Sequence, residues 1–171
     1  MARAEFNFGD LNTWVNNIKK ETAEEAANAI IKKLQVAGPY WSGEFAGAWE
    51  AVLGKTNIPA NQKSMFRGED RSALQQPRQM EQYSVQAAPA NSNKTVEYTI
   101  DNRMEYRDIA KDLVPAQPDG RKRGDMPGAT AEKDWYIKYV QGGGLLQTLA
   151  LATDRVSKDP KIQNFKGDLN K

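Results

Sequence analysis

The chain contains no cysteine and no histidine. Without cysteine there is no disulfide, no thiolate nucleophile and no thiolate metal site. Without histidine the chain lacks the commonest acid–base group near neutral pH and the commonest metal ligand. Ser-His-Asp and Cys-His arrangements are therefore excluded, and the expectation is a non-enzyme with no cofactor and no metal. Long apolar runs are missing as well: no stretch approaches the ~20 residues that a membrane span requires. The opening Met1-Ala2-Arg3-Ala4-Glu5-Phe6 has no apolar run and does not read as a signal peptide. An excess of one charge sign is also absent. Lys and Arg number 24 against 22 Asp and Glu, a net +2, too balanced to indicate a nucleic-acid or membrane partner from charge alone. These absences point to a soluble protein made in the cytoplasm, with no membrane partner.

What is present is enough for one domain. The 171 residues can bury a sizeable core. The hydrophobic fraction is 39% and the mean hydropathy is -0.75, which predicts a modest core. The polar excess sits in two long loops, 55–80 and 115–130, and in a loose tail, 159–171. The whole chain, 1–171, reads as a single domain without internal repeats.

Residues 10–37 read as a long amphipathic helix. Asp10 suits an N-cap, because its carboxylate accepts from orphan backbone N–H groups at the positive helix end. Leu11, Trp14, Val15, Ile18, Ala26, Ile30 and Leu34 recur at three- and four-residue spacings and predict its apolar face. Gly38-Pro39 ends it, by a left-handed cap and a missing N–H. Residues 45–53 read as a strand with Phe45, Trp49 and Leu53 on one parity. Residues 82–88 and 94–101 alternate apolar and polar positions and predict a pair of strands joined by the turn Pro89-Ala90-Asn91-Ser92-Asn93. A short helical turn or irregular strand follows Met104. Residues 132–157 read as a helical region whose stripe is Trp135, Tyr139, Leu146, Leu149, Thr153 and Val156. Gly142-Gly143-Gly144 interrupts it, since each Gly costs about 1 kcal/mol against Ala in a helix. A segment through Val140 followed by a firmer helix from Leu145 is expected. The fold class is α+β: a long N-terminal helix, a small antiparallel sheet, a C-terminal helix and long loops.

Catalytic and ligand motifs are weak. Glu44 with Glu50, and Glu105 with Asp108 and Asp112, are carboxylates among many charged surface positions, and no calcium-loop spacing is present. The glycine triplet lacks the Gly-Lys-Ser/Thr ending of a phosphate loop. Arg121-Lys122-Arg123 has the charge to face DNA, but Asp119 and Asp125 flank it and no aromatics are interleaved; a solvated loop is the alternative. Trp14, Trp49 and Trp135 read as core. Tyr40 and Trp41 sit at the turn after the first helix, where aromatics anchor interfaces. With Glu44 beside them, and with Met65, Phe66 and Arg67 at the mixed-charge tip of the first loop, they form the candidate subunit or partner interface.

One stretch does more than join a helix to a strand: Gly38-Pro39-Tyr40-Trp41-Ser42-Gly43-Glu44-Phe45-Ala46-Gly47-Ala48-Trp49-Glu50. A helix ending in Pro39, a Ser42-Gly43 step, aromatics from Phe45 to Trp49, a strand pair, then Asn102 followed by Tyr106, and a closing helix after a Gly/Pro-rich loop occur in that order. This pattern resembles the tail-completion, or neck, proteins of tailed bacteriophages. Two features differ from the family pattern: Glu44 stands where a basic residue is usual, and no aromatic-Gly pair follows the second strand. The resemblance implies a structural virion protein in the phage neck, assembled in the host cytoplasm. It implies a cyclic homo-oligomer, hexamer or dodecamer, that joins the head connector or adaptor to the tail tube or terminator, with DNA in the lumen. The alternatives are a tail-terminator ring protein and a DNA-binding accessory protein acting through Arg121-Lys122-Arg123.

Overall fold

A computed structural model describes residues 8–39, 43–63, 83–88, 96–113, 131–160 and 162–163. Helix α1 spans Phe8–Ala37, so Asp10 falls inside the first turn rather than at the cap. Its buried residues are Ala26, Ala27, Ile31, Leu34 and Gln35. The inward face is therefore centred on Ile31, about one residue round the helix from the stripe that the sequence suggests. Trp14, Val15 and Ile18 are only half-buried and lie outside the main core cluster.

Gly38 does end α1, for a reason other than the one expected. Its φ is not in the left-handed region, and its N–H still bonds the Leu34 carbonyl at 2.9 Å. A Cβ here would stand 2.8 Å from the Leu34 carbonyl oxygen, 3.1 Å from Trp135 Cη2 and 3.3 Å from Phe45 Cε1. Glycine is needed because two aromatic rings close on the helix end. The left-handed turn comes later, at Gly43 with φ 88°.

The expected strand 45–53 begins late. Glu44–Gly47 form a helical turn, α2, which buries Phe45 and Ala46 side by side. Ala and Gly are poor strand formers, and the chain extends only from Trp49, as β1 (Trp49–Leu53). β2 is short, Ser84–Val85, and β3 is Tyr98–Asn102. The sheet order is β2-β1-β3. β1 and β3 are antiparallel, with Trp49 opposite Asn102, Ala51 opposite Ile100 and Leu53 opposite Tyr98. β1 and β2 are parallel, with Glu50 opposite Ser84 and Ala51 opposite Val85.

The hairpin expected between 82–88 and 94–101 is thus not formed: both segments pair with β1, and the sheet is mixed. Alternation marks where β2 and β3 lie, but β3 is half-buried on both faces rather than wet on one, and alternation carries no information about which neighbour a strand takes. β1 is central because Trp49 and Ala51 are buried almost completely.

Part of the first long loop belongs to the body. Ile58 is buried, and Gln62 bridges Met104. After β3, Arg107–Ala110 form the short helix α3. The C-terminal region divides as its glycines suggest, into α4 (Trp135–Gln141) and α5 (Gly144–Ser157). Gly143, at φ 91°, makes the corner. A Cβ on Gly144 would lie 2.8 Å from the Tyr139 ring. α5 packs along α1, and α4 packs against α5. Its buried residues are Thr148, Ala152 and Val156, while Leu146 is 71% exposed and Thr153 is exposed. A stripe drawn through the corner as one helix fails because the corner resets the helical phase. Beyond α5, Ile162 is buried. The architecture is α+β, with a long N-terminal helix, a small three-stranded sheet and C-terminal helices.

Candidate functional site

Among the described residues, aromatic and hydrogen-bonding side chains gather most densely at a joint built around Phe45. The left-handed Gly43 turns the chain into α2 and aims Phe45 inward. Its ring meets Trp49 edge-on at 5.7 Å, stacks on Tyr106 at 6.1 Å and meets Trp135 edge-on at 6.3 Å. Trp49 stacks on Tyr136 at 6.4 Å, and Trp135 meets Tyr136 at 5.6 Å. Edge-to-face and stacked pairs of this kind add roughly 0.5–1.5 kcal/mol each beyond burial.

Directional bonds lock the rings in place. Asn102 is fully buried. Its Nδ2 donates to the Phe45 carbonyl at 2.7 Å, and its Oδ1 accepts from the Met104 N–H at 3.0 Å. The Gln35 amide on α1 donates to the Ala46 carbonyl at 2.9 Å. The Trp135 indole donates to the Ala110 carbonyl at 2.8 Å. α1, α2, β3, α3 and α4 are thereby fastened at one place.

A charged cluster borders the joint. The Asp101 carboxylate takes Arg107 at 2.9 Å and Lys111 at 2.7 Å. Arg107 Nη1 also donates to the carbonyls of Ile58 at 2.7 Å and Asn102 at 2.9 Å. Lys111 is buried, with its Nζ 5.2 Å from the centre of the Tyr136 ring. Two cations share one carboxylate here, with an aromatic face beside Lys111 and backbone oxygens on Arg107 Nη1, while the buried Arg107 Nε makes no hydrogen bond. All of these partners are internal, so the cluster ties chain segments together.

Several tyrosines are held protonated above the ordinary range. Burial raises Tyr106 strongly, and the negative charge of Glu44 adds to it. Burial also raises Tyr136, followed by Asp101 and Tyr139. Tyr139 rises by burial, against the pull of its bond to Thr148. Such groups are neutral at pH 7 and are poor acid–base catalysts. Among the described residues no group of three or more acidic side chains is placed to hold a metal ion. No helix among them is long and apolar enough to cross a membrane.

Of the sequence-derived interface residues, Glu44 stands in the first turn of α2, half-buried and close enough to act on Tyr106. Tyr40, Trp41, Met65, Phe66 and Arg67 lie outside the described residues, as do Arg121, Lys122 and Arg123. Glu50 is paired with Arg103 at 3.7 Å. Asp108 stands 3.9 Å from Arg107. Asp112 accepts from the Asp134 N–H at 2.6 Å, which draws the two ends of the second long loop together. The sequence reading missed Gln35, Asp101, Arg107 and Lys111. The four-residue step from Arg107 to Lys111 on a short helix was the available signal, and it does not distinguish a buried pair from a wet one.

Grooves among the described residues include the following two. One lies between α1 and α5, lined by Glu21, Glu24, Asn28, Val156 and Asp159 and crossed by the Glu25–Arg155 pair at 3.0 Å. The other lies between α1 and β2, lined by Glu24, Asn28, Tyr83, Val85 and Ala87.

The chain matches no family model, no curated protein and no solved structure.

Proposed function

We propose that this chain is a structural subunit of the tailed-phage neck: a tail-completion protein that forms a ring between the head connector and the tail and catalyses nothing. One observation carries the reading. Among the residues on which the resemblance rests, the pair Phe45 and Trp49 meets the pair Asn102 and Tyr106 at one joint, although Phe45 and Asn102 are 57 residues apart. The pattern therefore maps onto one structural unit, which supports the reading. The partners are further copies of the chain in a cyclic hexamer or dodecamer, the connector or adaptor on one side and the tail tube or terminator on the other. DNA occupies the lumen. A closed ring needs two different faces on each subunit that fit one another.

The test is electron microscopy of the purified protein and of particles from its source. A ring at the head–tail junction is expected. Absence of the protein from particles would overturn the reading and make DNA binding through Arg121, Lys122 and Arg123 the next explanation. In that case affinity would fall steeply with salt.

A further inference from the structure

Among the described residues, β2 and β3 form the two edges of the three-stranded sheet. In β3, the Arg103 N–H bonds the Ala48 carbonyl at 2.9 Å and the Gly54 N–H bonds the Glu97 carbonyl at 2.8 Å. This phase turns the backbone groups of Glu97, Thr99, Asp101 and Arg103 toward β1, and those of Tyr98, Ile100 and Asn102 away from it. The outward groups of Asn102 are used within the chain: its N–H donates to Asp101 Oδ1 at 2.8 Å, and its carbonyl accepts from Arg107 at 2.9 Å. Among the described residues, the outward groups of Tyr98 and Ile100 have no partner. In β2, the Gln86 N–H bonds the Ala51 carbonyl at 2.9 Å. Ser84 and Gln86 therefore face β1, and the backbone of Val85 faces out. The groove lined by Tyr83, Val85 and Ala87 runs along this edge, below α1. Neither strand carries a proline or a bulge, and the protection of the β2 edge is confined to its short length of two residues.

The two edges fit one another in three respects. The first is polarity. β2 runs with β1 and β3 runs against it, so under cyclic symmetry β3 of one copy meets β2 of the next antiparallel. The second is phase. The residues with outward backbone groups, Tyr98 and Ile100 on β3 and Val85 on β2, lie on the same sheet face as Ala51, and residues directly opposite in a ladder must share a face. The third is chemistry. The matching register sets Ile100 opposite Val85 of the next copy, Tyr98 opposite Ala87, Thr99 opposite Gln86 and Asp101 opposite Ser84, with no like charges facing each other.

We propose that β3 of each copy adds to β2 of its neighbour, so that the sheet continues from subunit to subunit and the closed ring leaves no edge open. This inference rests on the ring reading and names its interface.

The test uses the full chain, which has no native cysteine. Thr99→Cys and Gln86→Cys are combined in one variant. Within one subunit the two positions are separated by β1, about 10 Å across two ladder steps, which is beyond the roughly 7 Å limit of a disulfide. Across the proposed interface they are directly opposite. Oxidation of assembled protein should give a covalent ladder that ends at the ring copy number, and a mixture of the two single variants should give dimers only. Rings that form but show no ladder would overturn the edge pairing and leave the ring reading intact. Wild-type protein that stays monomeric at all concentrations and is absent from particles would overturn both. As a second measurement, Ala87→Pro perturbs the outer edge of the segment that follows β2 and removes no bond to β1. It should raise the concentration at which rings form at least tenfold with helicity unchanged. Normal ring formation by this variant would also overturn the edge pairing.

Discussion

The joint around Phe45 and the packing of α5 along α1 bury their residues in opposite ways. The joint is made of large rings, and buried amide and indole bonds hold its segments in place. The buried positions of α5 are mostly small, Thr148, Ala152 and Val156, and the rim of the helix pair is an exposed ion pair. A ring lattice with a buried amide at its centre admits one arrangement, because any shift strands a polar group in a dry place. A seam of small side chains with a wet rim tolerates sliding and substitution. The joint therefore specifies the fold, and the helix pair adds area.

That contrast can be broken in order of effect. Phe45→Ala removes the ring that touches Trp49, Tyr106 and Trp135, and should cost about 4 kcal/mol in chemical denaturation. A loss under about 1 kcal/mol would mean that the joint does not organise the core. Asn102→Ala leaves the Phe45 carbonyl and the Met104 N–H buried without partners, and should cost about 3 kcal/mol. Asn102→Asp should not restore it, because a carboxylate cannot donate to the Phe45 carbonyl.

Tyr106 gives a contrast in pH. Its folded pKa lies above the unfolded value of about 10, so the folded state holds the proton more tightly. The associated stability is complete below about pH 10 and is lost as the pH rises above it, toward the folded pKa. Tyr106→Phe should flatten that alkaline decline while leaving neutral-pH stability within about 1 kcal/mol. An unchanged alkaline limb would assign the decline to other groups. At the bottom of the scale, Arg155→Ala removes an ion pair whose arginine side chain is 68% exposed. It should change thermal stability by no more than about 0.5 kcal/mol.

Much of the scaffold could be read from the chain. α1 is visible because its apolar spacing persists through several turns and ends at Gly38-Pro39. The break between α4 and α5 is visible because three consecutive glycines cannot continue a helix cheaply. Trp49 and Trp135 are recognisable as core from size and setting. The site was legible only in part. Asn102 and Tyr106 entered through the family pattern, and the buried Gln35, Arg107 and Lys111 gave no reliable signal, since a polar residue on a helix reads as solvated until its partners are known. The interface residues Tyr40, Trp41, Met65, Phe66 and Arg67 and the basic cluster at Arg121 fall outside the described structure, and their roles stay with the proposals.

Local periodicity and glycine placement in the sequence determined where helices run and break and that the fold is α+β, because these depend on backbone preferences acting over a few residues. Only the tertiary structure decided that β1 lies between β2 and β3, that Phe45 sits on a helical turn, and that Asn102 joins segments 57 residues apart. Those outcomes depend on which surfaces exclude water together, and alternation along one strand says nothing of the strand beside it.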